Sequence, residues 1–327
     1  MTKILLDADT GIDDAVALVY LLAQEDIELV GVACTAGNVG VDHVVRNTLE
    51  VLDLLSAGAV PVARGAALPL VQPFAAADAV HGERGLGYAR LPVSDRALDE
   101  RSAAQLWVDL VRQHPGEIVG LVTGPFTNLA LALRLEPCLL EMLGGLVVMG
   151  GAFEYRGNVG GTAEWNIFVD PEAAALVLSA YRGRDVGHVP VLCGLDITEQ
   201  VLLTPDHLAM VREHVGETPV MRFLDDALRL YFEYHESEVG RPVAPLHDPL
   251  AAVLAVDRDV TAVLRRADVD VELRGDLTRG MTVPRWLPTD DAVSATGDVV
   301  GEVDVPAVLE HIMAAFAHPS YRRSPAS

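Results

Sequence analysis

The sequence predicts an α/β protein: a single domain built on an open, mostly parallel, doubly wound (Rossmann-like) sheet with helices on both faces. Short β-branched apolar runs alternate along the chain with longer segments of helical periodicity, which is the pattern of successive βαβ units. The apolar runs lack a two-residue alternation of apolar and polar side chains, as expected for strands that are buried on both faces of a parallel sheet.

These patterns assign the elements in chain order. Strands are predicted at 3–8, 27–35, 116–123, 145–151 and 189–196. Helices are predicted at 13–24, 42–57, 102–114, 126–135, 171–181, 205–214, 219–238, 248–257 and 304–317. The segment 66–100 is rich in Ala, Gly and Pro and has no clear period, so we expect a loop over one edge of the sheet. We expect residues 1–320 to form one domain and residues 321–327 to be a disordered tail.

The composition restricts the partners. The formal net charge of -23 gives a surface that repels nucleic acid and anionic membranes, so we expect a small neutral ligand or a bound cation instead. No apolar run approaches the roughly 18 residues of a membrane-spanning helix. The N-terminus shows no signal peptide, and the three scattered cysteines lack the C-x-x-C spacing of a zinc site. A cytoplasmic location is therefore expected.

The stretch DADTGIDD places four aspartates, Asp7, Asp9, Asp13 and Asp14, between the first strand and the first helix. In open α/β sheets, ligands bind outside the carboxyl ends of the strands, so this corner is a candidate site. One or two acids here would be explained by capping of the helix N-terminus, but four exceed that requirement. Clustered carboxylate oxygens suit Ca²⁺ or Mg²⁺, and we favour a metal-binding or catalytic role.

Three later corners carry polar groups of the same kind. Asn38 follows the second strand in TAGNVG, where it could also be an ordinary turn residue. In VTGPFTNLA, Gly-Pro breaks the strand and frees the backbone carbonyl of Thr123 as a possible metal ligand. In PLHDPLAAVLA, His247 and Asp248 precede a helix and could supply a titrating acid and one more metal carboxylate.

The loop between the strand at 145–151 and the helix at 171–181 is the densest in polar side chains. Asn158, Glu164 and Asn166 lie within it, and no capping role can be assigned to them from the sequence. Amide and carboxylate groups gathered in a loop suit the cis-diol of a sugar. The following DPE is an ordinary helix start, with proline at the first position.

These motifs together resemble the inosine–uridine-type nucleoside hydrolases, which cleave the N-glycosidic bond of ribonucleosides. DADTGIDD is similar to the opening motif D-x-D-x-G-x-D-D of that family, with Thr10 where proline is commoner. TAGN, TGPFTNLA, the MGG…GN…AEWNI…DPEAA block and the late HDP follow in the family's order, from about residue 3 to residue 260. Each motif alone is weak, whereas the ordered set is specific.

The resemblance implies one Ca²⁺ ion per subunit, held by Asp9, Asp14, the Thr123 carbonyl and Asp248. It also implies that Asp9 is the base that activates a metal-bound water, that His247 assists departure of the base, and that Asn166 belongs to the catalytic set. Asp7 would orient the aspartate cluster. The implied substrate-binding residues are Asp13, Asn38, His81, Met149, Asn158, Glu164, Asn166, Tyr231, His235 and His247.

Within that set, several roles are implied in more detail. The acidic and amide side chains would bind ribose hydroxyls, and Met149 would line the pocket. His81, in VHGERGLG, matches a histidine on a mobile loop of some relatives, while Tyr231 and His235 lie on one face of a helix that would close over the base. The family is commonly dimeric or tetrameric, so a homo-oligomer is expected.

Other interpretations compete with that of a nucleoside hydrolase. A haloacid-dehalogenase-type phosphatase also ends its first strand in D-x-D, but needs a later lysine, and Lys3 is the only lysine in this chain. A dinucleotide-binding enzyme is disfavoured because the first turn has no G-x-G-x-x-G. A hydrolase of another N-riboside, such as nicotinamide riboside, and a non-catalytic Ca²⁺-stabilised nucleoside-binding protein stay open. The sequence leaves the base preference open as well.

Overall fold

The computed structural model describes residues 1–322, except for residues 185, 290 and 292. The strands are β1 (Thr2–Ala8), β2 (Ile27–Cys34), β3 (Val62–Arg64), β4 (Ile118–Val122), β5 (Gly145–Met149), β6 (Val191–Cys193), β7 (Leu202–Leu203), β8 (Ala244–Pro245), β9 (Thr261–Val271), β10 (Thr282–Trp286) and β11 (Gly297–Val303). The α-helices are α1 (Ile12–Leu22), α2 (Val41–Leu54), α3 (Asp78–His81), α4 (Ala103–Gln113), α5 (Thr127–Leu135), α6 (Trp165–Val169), α7 (Pro171–Ser179), α8 (Leu195–Thr198), α9 (Pro205–Val215), α10 (Pro219–Val239), α11 (His247–Val256) and α12 (Val305–Phe316). Short 3-10 helices cover Leu140–Met142 and Pro319–Arg322.

Nine of these strands form one sheet in the order β10-β9-β11-β6-β5-β4-β1-β2-β3, and β7 pairs with β8 separately. Neighbouring strands from β11 to β3 are parallel, whereas β9 runs antiparallel to β10 and β11. The chain proceeds from β1 to β2 and β3 in one direction, and from β4 to β5 and β6 in the other. The order therefore reverses between β1 and β4, which is where doubly wound sheets bind ligands.

Apolar side chains of β1 enter cores on both faces of the sheet. Ile4 and Leu6 pack into the core that contains α1, α2, α10, α11 and α12, and Leu5 packs into the core that contains α4, α5 and α7. Because both faces are covered, the carboxyl end of β1 is the place where its polar residues can reach a ligand. The predicted fold class is confirmed, and each predicted strand and helix matches an observed element within a few residues.

The sequence did not predict β3 or the strands β9, β10 and β11. Only three residues long, β3 is too short to show a pattern. Charged residues interrupt the apolar character of β9; in the fold, Arg266 pairs with Asp298 and Arg182 pairs with Asp268. An antiparallel strand near a sheet edge can carry such charges because it is not buried on both faces.

The segment 66–100 has little regular secondary structure, as predicted for a loop, but it does more than cover one edge of the sheet. The segment contains α3 and bridges two parts of the fold: Ala77 N donates to Asn38 O at 2.9 Å, and Tyr88 N donates to Asp226 O at 3.2 Å. It thus connects α10 to the carboxyl end of β2. This long-range bridging has no periodic signature in the sequence.

The start of the predicted tail also needs correction. Tyr321 is buried, and its hydroxyl donates to Val19 O at 2.8 Å, so the packed chain includes this residue. Residues 323–327 lie outside the described residues, and the single-domain boundary stays a prediction. Among the helices described, none combines the length and the apolar character that crossing a membrane requires.

Candidate active site

Three carboxylates meet at the reversal point of the sheet. One oxygen from each of Asp13, Asp14 and Asp248 lies within 4.8 Å of the others, and all three residues are buried. Asp13 and Asp14 lie in the first turn of α1, and Asp248 lies in the first turn of α11, which packs against α1. Burial raises the pKa values of all three, and repulsion from neighbouring aspartates adds to this for Asp13, whose pKa rises to about 8, and for Asp248.

Asp9 adjoins this group at the end of β1. Its Oδ2 accepts a hydrogen bond from Asn38 N at 2.6 Å, while its Oδ1 is buried without a hydrogen-bond partner among the described residues. The glycine of TAGN permits this approach: a Cβ on Gly37 would lie 2.7 Å from Asp9 Cγ and nearer still to Oδ2. Burial, followed by the charges of Asp14 and Asp13, raises the pKa of Asp9.

Asp14 is held by β4 and by its own helix. Thr123 Oγ1 donates to Asp14 Oδ1 at 2.7 Å, and Gly11 N donates to Asp14 Oδ2 at 2.8 Å. The Thr123 carbonyl accepts from Asn166 Nδ2 at 2.8 Å, so the amide of Asn166 orients the main chain at the carboxyl end of β4. The hydroxyl of Thr123 thus contacts the aspartate group, and its carbonyl contacts Asn166.

The donor set fits a hard divalent cation. It consists of buried carboxylate oxygens, and both Asp9 Oδ1 and Asp13 Oδ1 are buried without a hydrogen-bond partner among the described residues. Oxygen ligands of this kind suit Ca²⁺ or Mg²⁺. The cluster could therefore bind a metal ion. The three-oxygen group includes Asp13, which the sequence had assigned to the ribose, alongside the predicted ligands Asp14 and Asp248.

Asp7 lies behind the site. Its carboxylate accepts hydrogen bonds from Trp107 Nε1 at 2.7 Å and Asn128 Nδ2 at 2.9 Å, and its backbone carbonyl accepts from Thr123 N at 2.8 Å. Burial outweighs these donors and raises the pKa of Asp7 to about 7. Asp7 therefore ties β1 to α4, α5 and the turn after β4, and does not belong to the carboxylate group.

One wall of the site comes from the loop after β5. Glu164 is buried and caps α6: Oε1 accepts from Asn166 N at 2.8 Å, and Oε2 accepts from Ile167 N and Gly151 N at 3.1 and 3.0 Å. The sequence had assigned no capping role to Glu164, and this was wrong. The long side chain reaches its own helix start, as Asp or Ser more often does. Asn158 lies on the same loop and is exposed.

Another part of the lining consists of histidine and tyrosine rings. His81 on α3 accepts a hydrogen bond from Ile12 N at Nδ1, 3.1 Å away, and its ring centroid lies 5.9 Å from that of Tyr231. Tyr231 in turn lies 5.0 Å from His235, whose Nε2 is buried without a hydrogen-bond partner among the described residues. Burial lowers the pKa of His81 to about 3 and that of His235 to about 4.

His247 begins α11 beside Asp248. Its Nδ1 lies 2.7 Å from Thr198 Oγ1, and burial, together with the nearby His235 and His81, lowers its pKa to about 3. A position in the first turn of a helix also disfavours positive charge. Burial and the helix start thus both disfavour the charged imidazolium, and we expect the ring to act as a hydrogen-bonding group.

These walls enclose one cavity of about 740 Å³. The predicted site residues that line it are Asp13, Asn38, His81, Thr123, Met149, Asn158, Glu164, Asn166, Tyr231, His235, His247 and Asp248. Asp9 and Asp14 are not in its lining and are almost fully buried. A volume of this size suits a small organic molecule.

The sequence analysis missed several lining residues. Tyr155 and Arg156 come from the loop after β5, Trp165 is the first residue of α6, and Tyr234 comes from α10. Tyr234 could have been found, because it follows Tyr231 by three residues on the same helix. The loop residues have no periodic signal that distinguishes them from surface positions.

Comparisons with known proteins identify the family of the chain. The family model described as "Inosine-uridine preferring nucleoside hydrolase" matches residues 4–310. The chain is 38% identical over 283 residues to the inosine-uridine preferring nucleoside hydrolase of Crithidia fasciculata, covering 86% of this chain and 87% of that protein. It is 37% identical over 282 residues to the pyrimidine-specific ribonucleoside hydrolase RihA of Salmonella arizonae, with the same coverage.

The fold is similar over the whole chain to a solved structure. The purine-preferring ribonucleoside hydrolase from Gardnerella vaginalis superposes with a TM-score of 0.89 at 33% identity, covering 98% of this chain and 99% of that chain. The resemblance seen in the ordered motifs is thus confirmed. The chain belongs to the inosine-uridine preferring nucleoside hydrolase family and is an N-glycosyl hydrolase.

Proposed function

We propose that this protein hydrolyses the N-glycosidic bond of ribonucleosides to free base and ribose, with Ca²⁺ as its resident ion. The observation that carries the proposal is one cavity whose lining combines two members of the buried carboxylate group, Asp13 and Asp248, with amide and carboxylate side chains and with histidine and tyrosine rings. The relatives named for purine, pyrimidine and inosine–uridine substrates support a ribonucleoside of unspecified base.

The ion would be held by Asp9, Asp14, the Thr123 carbonyl and Asp248. The orphaned Asp9 Oδ1 and the oxygen-only donor set support this assignment. When bound, Ca²⁺ supplies a positive charge that relieves the repulsion among the carboxylates and lowers the pKa of a water molecule.

Asp9 is the base that takes the proton from the attacking water. Asn38 N donates to Asp9 Oδ2 and so fixes the orientation of the carboxylate that accepts the proton. A base held in one orientation reduces the rearrangement needed to reach the transition state.

The ribose is held by Asp13, Asn38, Asn158, Glu164 and Asn166, with Met149 against it. Three backbone N–H groups orient the Glu164 carboxylate. Breaking the ribosyl–nitrogen bond generates an oxocarbenium-like sugar, so hydroxyl contacts that strengthen as the sugar flattens accelerate the reaction. A buried polar group that loses its hydroxyl partner costs binding free energy in the transition state, so 2′-deoxynucleosides are poor substrates.

The base leaves between the aromatic rings, and His247 assists its departure. His81, Tyr231 and His235 form the surrounding wall. A base anion leaves poorly in water, and a hydrogen-bond donor at this position stabilises the developing negative charge.

The experiment is a panel of ribonucleosides, with nicotinamide riboside included, assayed for reducing sugar with Ca²⁺ and with EDTA. We expect ribose release that Ca²⁺ restores after chelation. No release from any substrate would refute the proposal. The panel also determines the base preference.

The assembly and location remain predictions from the sequence. We propose a cytoplasmic homo-oligomer, dimer or tetramer. Light scattering of the purified protein and cell fractionation test these two statements.

A further inference from the structure

Thr198 and His247 form a hydrogen-bonded pair at the base-side wall of the cavity. The Thr198 hydroxyl oxygen lies 2.7 Å from His247 Nδ1, and Thr198 is completely buried. The two residues are 49 positions apart in the sequence: Thr198 is the last residue of α8, and His247 is the first residue of α11. A fully buried hydroxyl is placed for a specific partner, because leaving it unpaired is costly.

The main chain fixes this pair from both sides. The strands β7 and β8 pair next to it, and Leu246 N donates to Val201 O at 2.9 Å. Thr198 N donates to Gly194 O at 3.1 Å within the turn that follows β6. The backbone therefore holds the hydroxyl and the imidazole at a set distance, which is what an oriented catalytic group requires.

The hydroxyl determines which ring nitrogen carries the proton. Among the described residues, Thr198 Oγ1 has one hydrogen-bond partner, which is His247 Nδ1. A hydroxyl that has no other acceptor donates to the nitrogen, and in a neutral imidazole the other nitrogen then carries the hydrogen. Since His247 lines the cavity and its Nδ1 is occupied, Nε2 is the nitrogen left to face the ligand.

We propose that Thr198 is a positioning residue that holds His247 as the Nε2–H tautomer, with that hydrogen directed at the departing base. The inference rests on the proposed hydrolysis of N-ribosides. The Nε2–H group donates a hydrogen bond to the base as negative charge develops on it. Without the Thr198 hydroxyl, the ring can adopt the other tautomer, which presents a lone pair to the base and repels that charge.

The test compares Thr198→Val, which keeps the shape but removes the hydroxyl, with Thr198→Ser, which keeps the hydroxyl. On inosine we expect T198V to lower kcat by about tenfold to 100-fold, less than the roughly 10²–10³-fold cost of removing a donor outright, because the imidazole itself remains. On p-nitrophenyl riboside, whose leaving group needs no assistance, we expect less than about threefold loss, and T198S should retain most activity on both substrates. In a His247→Ala background, T198V should have no further effect, because both changes remove one interaction.

The inference would be overturned if T198V lost kcat equally on both substrates, or if it kept full activity on inosine. The proposed function would stand in either case. A wild-type protein that releases base from no ribonucleoside would instead refute the proposed function. A readout independent of turnover is the ¹⁵N spectrum of the imidazoles, with H247A identifying the His247 signals. The inference is supported if the His247 signals show the Nε2–H tautomer in the wild type and if this pattern is lost or mixed in T198V. An Nδ1–H pattern in the wild type contradicts it.

Discussion

Replacement of Gly37 by alanine should inactivate the enzyme without unfolding it. A Cβ at this position would lie 2.7 Å from Asp9 Cγ and 2.8 Å from Pro125 Cδ, and nearer still to Asp9 Oδ2. Ordinary van der Waals contact begins at 3.4 Å, so the two groups must separate by approximately 1 Å. The hydrogen bond from Asn38 N to Asp9 would lengthen with this movement.

The expected magnitude follows from that displacement. A shift of about 1 Å in a catalytic group costs on the order of 100-fold in rate, so kcat for ribose release from the best substrate should fall by about 100-fold. Overpacking a buried site also costs about 1–3 kcal/mol of stability, which leaves the protein folded at assay temperature. Initial rates at saturating Ca²⁺, with circular dichroism melting of each variant, measure the two effects separately.

Gly40→Ala is the matched control in the same turn. A Cβ on Gly40 would meet nothing within 4 Å, and its φ of -61° and ψ of 145° are accessible to alanine. We expect kcat close to wild type for this variant. A folded G37A variant with kcat within about threefold of wild type would show that the position of Asp9 against the TAGN turn does not matter, and the reasoning would fail.

Three further predictions follow from the site. Asp9→Ala should reduce kcat by about 10²–10⁴-fold, the usual contribution of a general base, and a near-normal kcat in steady-state assays would remove Asp9 from the mechanism. Ca²⁺ at about 100 times its Kd should stabilise the EDTA-treated protein by about 2.7 kcal/mol, visible as a rise in Tm; no shift would argue against an ion among the aspartates. His247→Ala should slow hydrolysis of inosine far more than that of p-nitrophenyl riboside, and equal losses in kcat on both substrates would contradict its assistance to the leaving base.

Local patterns in the chain specified much of this fold. Strands such as 3–8 and helices such as 248–257 were predicted closely, because apolar periodicity and helix-start residues depend on a few neighbouring positions. The strand β9 was missed because its charged residues are neutralised by arginines and aspartates distant in sequence. Its antiparallel direction likewise depends on the strands beside it.

At the site, too, some features could be predicted from local patterns and others depend on residues that are distant in sequence. The acidic corner, the amide-rich loop and the late His-Asp pair could be predicted as candidate sites, because each occupies a turn after a strand or before a helix, and the resemblance of the ordered motifs implied a ribonucleoside as the ligand. The capping of α6 by Glu164 could not, because its carboxylate also binds Gly151 N from a separate turn. The orienting role of Asn166 toward the Thr123 carbonyl spans 43 residues and was equally invisible.

The sequence by itself determined which chemical groups this protein possesses and on which corners they lie. Only the tertiary structure decided which groups touch: Asp13 with Asp14 and Asp248, Asp9 with the backbone at Asn38, and Thr198 with His247. The physical reason is that motifs reflect short-range backbone geometry, whereas the distances between corners depend on strand order and helix packing. The pairing of β7 with β8, two residues each, brings Thr198 to His247, and no local pattern records it.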